Sequence, residues 1–166
     1  MAVRRTARDT QAGARARDGE FPPSQSDGYL VRDAHRAFQQ LLEKRIAPFG
    51  VKRGQWYFLR VLWDEDGLSQ RELSARVGMM EPTTVIALRG MEKAGLVRRV
   101  RSPDDKRRAQ VWLTAKAKRL RDKLLLVART ITEQAGEGIG RDQLLVFRDT
   151  ISRMTANLDD LNGLKR

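Results

Sequence analysis

Apolar residues recur at helical spacing through most of the chain, and only one short stretch changes period. From Asp27 to about Ala47 the positions Leu30, Ala34, Phe38, Leu41 and Leu42 predict a helix, which Pro48 and Gly50 end. A second helix begins near Lys52, carries Trp56, Leu59, Leu62 and Trp63 on one side, and stops at the acidic loop Asp64-Glu65-Asp66-Gly67. Ser69-Gln70-Arg71-Glu72 then forms a capping box, in which the Ser hydroxyl and the Glu side chain each satisfy an orphan backbone N–H at a helix start. Leu73 and Val77 follow on one face, and Gly78 suits a left-handed helix end. After the turn at Met79 and Met80, Pro82 fits the first position of a further helix that runs to Gly95.

The period changes at Leu96. Leu96-Val97-Arg98-Arg99-Val100-Arg101 and Ala109-Gln110-Val111-Trp112-Leu113 read as two strands around a Ser-Pro-Asp-Asp turn. Helical spacing then returns. Thr114 is a plausible N-cap for a long helix bearing Ala117, Leu120, Leu124, Val127, Ala128 and Ile131, which the glycines at 136, 138 and 140 close. In a last helix, Leu144, Phe147, Ile151, Met154, Leu158 and Leu161 alternate steps of three and four, the seam with which helices pack against partner helices. The alternative is that this seam faces its own domain.

Two short helices at helix-turn-helix spacing, followed by a hairpin, point to DNA. Between Arg98 and Arg108, six Lys or Arg accompany two Asp. Such a run is more often a solvated loop, but behind a helix-turn-helix it reads as a tip seeking an anion. With about 100° per residue, Thr84, Ala87, Leu88 and Met91 fall on the core side of the candidate recognition helix. Pro82, Thr83, Ile86, Arg89, Gly90 and Lys93 fall toward the other.

Here the chain resembles the MarR family of winged helix-turn-helix regulators over about residues 28–162. The likeness is sharpest at Leu68-Ser69-Gln70-Arg71-Glu72-Leu73, Met91-Glu92-Lys93-Ala94-Gly95-Leu96-Val97, and Asp105-Lys106-Arg107 through Val111-Trp112-Leu113-Thr114. The resemblance implies a mainly α fold with a small β-hairpin wing, a winged helix-turn-helix with flanking dimerisation helices. It further implies an obligate homodimer on pseudo-palindromic operators, with a recognition helix in each major groove and a wing in each flanking minor groove. Arg101, Lys106, Arg107 and Arg108 would serve the wing, with Asp105 buttressing Arg107. Pro82, Thr83, Val85, Ile86, Arg89 and Lys93 would face the major groove. Where the family usually has Ser or Thr and then Arg or another polar residue, this chain has Val85 and Ile86. An exposed Ile cannot hydrogen-bond a base edge but can pack on a thymine methyl, leaving base hydrogen bonds to Thr83 and Arg89 and part of the specificity to DNA shape. The alternative is that Ile86 lies in a protein contact. The resemblance also places the dimer interface on the terminal helices, with Leu144, Phe147, Ile151, Met154, Leu158 and Leu161 in the last.

Composition adds limits. The chain has 166 residues, a net charge of +12 and no Cys. That length fits a single domain over 27–166, with the winged module at about 52–113 and dimerisation helices at about 27–47 and 114–162. The charge argues for a polyanionic partner. Without an apolar run approaching the roughly 18 residues of a membrane span, or a secretory h-region, a cytoplasmic protein away from membranes is expected. Residues 1–26 read as a disordered basic arm, either touching phosphates weakly or inert. One His, no Cys and no phosphate loop argue against an enzyme, and neither cofactor nor metal is expected. The acidic loop reads as solvated.

The aromatic residues gather near the first two helices, at Phe38, Phe49, Trp56, Tyr57 and Trp63. They are either ordinary core or the frame of a pocket, and the family's habit of binding phenolic or acyl ligands raises the second reading. A small aromatic carboxylate or acyl thioester would then meet Phe38 and Trp56, with His35 or Arg60 pairing its charge. The expectation is a sequence-specific, double-stranded-DNA-binding repressor released by such a ligand. The rival is an architectural or RNA-binding basic protein without an effector.

Overall fold

The computed structural model describes residues 21–101 and 109–164, with Arg101 described through its backbone only. Six α-helices and three strands follow in the order α1 (Asp27–Ile46), α2 (Arg53–Asp64), β1 (Leu68–Ser69), α3 (Gln70–Val77), α4 (Glu81–Lys93), β2 (Val97–Arg101), β3 (Ala109–Leu113), α5 (Ala115–Ala135) and α6 (Arg141–Leu161). By internal contacts the chain divides after Phe38. In the described part of the first unit, the start of α1 exposes Tyr29, Leu30, Val31 and Phe38. Asp33 there pairs with Arg32 and Arg36, and the Arg32 guanidinium lies over the Tyr29 ring.

The second unit holds the core, which is apolar because burying aliphatic and aromatic surface is the main term available to offset chain entropy. Phe58, Leu59 and Leu62 of α2, Leu73 of α3, Leu88 and Met91 of α4, Val111 of β3 and Leu124 of α5 are essentially inaccessible to solvent. The strands form an antiparallel sheet of order β1-β3-β2, with Arg99 opposite Val111 and Leu68 also opposite Val111 on the other edge. β1 is an addition to the expected hairpin.

Local chemistry fixes the ends. The capping box at Ser69 is formed, with Ser69 Oγ accepting from Glu72 N at 3.2 Å and Glu72 Oε2 accepting from Ser69 N at 2.8 Å. Gly78 closes α3 at φ +70°. α4 starts at Glu81 with Met80 as N-cap, one residue earlier than Pro82 suggests. Asp66 corrects the solvated reading of the acidic loop. Its Oδ1 accepts from Leu113 N at 2.8 Å and Gly67 N at 3.1 Å, and its Oδ2 pairs with Lys118 at 3.0 Å. α6 differs from every other long helix in burying no residue.

Candidate nucleic-acid interface

The turn between α3 and α4 is held from inside. Thr84, fully buried, donates its hydroxyl to Ser74 Oγ at 3.2 Å, and Ser74, also buried, donates onward to the Met79 carbonyl. A chain of hydroxyls thus ties the first turn of α4 to the end of α3, in a region where an unmade hydrogen bond would be costly. With Leu88 and Met91 buried beside Thr84, the opposite face of α4 is pushed outward. Pro82, Thr83, Arg89 and Lys93 are exposed there, Val85 is half-buried, and Ile86 is 70% exposed. Within the chain Ile86 is uncovered, on the side of α4 opposite the buried Thr84 and Leu88. Met80, at 77% exposure, extends this outer face to the helix start, a position the sequence reading treated only as turn.

Behind α4 the sheet is clamped to the helix. Arg99 of β2 donates from Nε to Glu92 Oε1 at 2.9 Å and from Nη2 to Oε2 at 2.5 Å. This hydrogen-bonded fork holds the Glu92 carboxyl below its usual range and raises the Arg99 guanidinium. Neither residue was singled out by sequence, although Glu92 lies in one of the segments of sharpest resemblance. At the other end of the sheet, Thr114 donates to the Gly95 carbonyl and accepts from Ala117 N, so β3, the α4–β2 turn and α5 share one residue. Arg101 ends β2. Asp105, Lys106, Arg107 and Arg108 lie outside the described residues.

His35 and Phe38 are exposed on the first part of α1. Trp56 is core, 5% exposed and edge-on to Trp63. Arg60 lies 5.9 Å from the Trp56 ring and opens instead onto a cleft of about 410 Å³, shared with Trp63, Arg76, Arg121 and Leu125. On α6, Leu144, Ile151 and Met154 are half-buried, while Phe147, Leu158 and Leu161 are exposed.

A 13-residue helix is about 20 Å long, and one with its outer face clear of protein can enter a B-DNA major groove about 12 Å wide. With a β-hairpin at its C-terminal side, the arrangement defines a winged helix-turn-helix DNA-binding protein. Comparison with known proteins narrows this class. A model described as the MarR family matches residues 49–108. The transcriptional regulator TtmR of Methylorubrum extorquens is 29% identical over 143 residues, covering 84% of this chain and 72% of that protein. A MarR regulator from Methanosarcina mazei superposes with a TM-score of 0.74 at 28% identity, covering 81% of this chain and 90% of its own. The repressor CouR, solved on a 23-mer DNA duplex, gives 0.70 at 27%, covering 81% and 93%. The chain is similar to regulators of the MarR family, in sequence over its winged module and in fold over 81% of its length, and it is a DNA-binding transcriptional regulator. Among the described residues no helix is long and apolar enough to cross a membrane.

Proposed function

We propose that the protein is a homodimeric repressor that reads a two-fold operator and leaves it when a small aromatic carboxylate or acyl thioester binds. The observation that carries the operator reading is the outer face of α4, where Thr83, Arg89 and Lys93 surround an uncovered Ile86. Polar and cationic groups there reach base edges and phosphates, and Ile86 supplies an apolar contact for a thymine methyl. Arg101, Lys106, Arg107 and Arg108 are assigned to the flanking minor groove, with Asp105 orienting Arg107. α6 supports the dimer: a 21-residue helix with no fully buried residue leaves Phe147, Leu158 and Leu161 of its seam exposed for a second copy. The repressor sense follows from the likeness to CouR, which is described as a transcriptional repressor.

The effector is assigned to the cleft beside Arg60. Its Trp63, Val61 and Leu125 walls suit an apolar body, and the guanidinium groups of Arg60 and Arg121 suit an anionic head. This moves the ligand away from Trp56, which the core occupies. A ligand there spans α2 and α5 and releases DNA only as far as it favours the unbound conformation, a coupling of about 1 to 3 kcal/mol in typical cases.

Mobility shift with duplexes from the protein's own promoter region tests this. Affinity should exceed that for random duplexes, fall steeply with salt as counterions are released, and weaken on adding benzoates, hydroxycinnamates or their thioesters. Equal affinity for every duplex would favour the architectural reading, and operator binding indifferent to every ligand would remove the effector.

A further inference from the structure

We infer that Glu92 and Arg99 are positioning residues for DNA reading: their fork fixes the angle between the recognition helix and the wing, so that both engage one operator half-site together. The inference rests on the operator reading above and adds residues that touch no DNA.

Glu92 stands in the last turn of α4, and Arg99 is the central residue of β2. The link between them is short. Ala94 ends α4, Gly95 turns at φ +66°, and Leu96 N bonds back to the Met91 carbonyl at 2.9 Å. That backbone turn joins helix and strand at one point, and the fork adds a second, side-chain tie one turn away. Two parallel N–H···O bonds between planar groups oppose any change of angle between helix and strand, because a fork holds orientation as well as distance. Both side chains are about two-thirds covered, 31% and 32% exposed, so water competes for the pair less than at an open surface.

Arg99 is thereby withheld from phosphate. Its neighbour Arg98 points to the opposite face of β2 and stays exposed. The sheet therefore uses one arginine internally, on the same face as the buried Val111 opposite it. A lysine at 99 would keep the charge and lose the fork.

A double-mutant cycle in operator binding tests the assignment, using Glu92→Gln, Arg99→Lys and the wing variant Arg107→Ala, with duplexes that carry or lack the flanking minor-groove segments. In the otherwise unaltered protein, Arg107→Ala should weaken binding about fivefold to a hundredfold, the range of one good base contact. In the Glu92→Gln and Arg99→Lys backgrounds that loss should shrink severalfold, and removing the duplex flanks should cost correspondingly less. Thermal unfolding of each variant reports folding, and a structural role alone would lower the midpoint while leaving the Arg107 effect whole. An undiminished Arg107 effect in both backgrounds overturns the positioning role and leaves the wing reading intact. An Arg107→Ala substitution without effect in the unaltered protein overturns both.

Discussion

At Gly67 the backbone turns with φ +81°, and an added Cβ would stand 2.6 Å from the Trp112 ring. Both the dihedral and the space demand glycine, for the left-handed region penalises a side chain before any clash is counted. Gly67→Ala should therefore destabilise the fold by roughly 1 to 3 kcal/mol, the range for forced overpacking, read as a lower denaturant midpoint. An unchanged midpoint would show that neither the backbone dihedral nor the Trp112 ring constrains this position. Nothing in the sequence announces this contact, since a glycine after three acidic residues looks like any loop. Asp66 was equally hidden, because the backbone N–H it serves belongs to Leu113, 47 residues away. The outer residues of α4 were legible in advance, since 100° per residue separates Ile86 from buried Thr84 and Leu88 without knowledge of the partner.

Among elements, those with a strong period or a cap signal were readable. The Ser69 capping box, the Gly78 terminus and the Thr114 N-cap stand where the sequence placed them. β1 did not show, because two residues carry no period, and its existence depends on pairing with β3. The hydroxyl relay from Thr84 through Ser74 to Met79 belongs to this scale, since it joins two helices and serves neither alone. Thr84→Val, nearly isosteric, should cost about 1 kcal/mol, the net value of one hydrogen bond. Ser74→Ala should cost more, because it orphans the buried Thr84 hydroxyl and the Met79 carbonyl together. Chemical denaturation gives both values, and the reverse order would mean that the relay contributes little to the α3–α4 junction.

For the whole molecule, the partly exposed seam of α6 sets the clearest expectation. Deleting residues 141–166 removes Leu144 through Leu161 and should leave a monomer by sedimentation, with operator binding collapsing because two half-sites need two reading heads. A truncated dimer would place the interface elsewhere. The bond from Asp66 to Leu113, its ion pair with Lys118, and the Thr114 contacts weld the base of α5 to the DNA-reading module. α5 then works as a rigid lever: its 21 residues span about 32 Å, and a tilt of only 10° at the far end carries the reading head roughly 5 Å, about one helix pitch. In a dimer joined through α6, two such levers set the span between half-sites. A modest adjustment beneath the arms is amplified into a mismatch with the groove repeat, while each reading head keeps its own geometry intact.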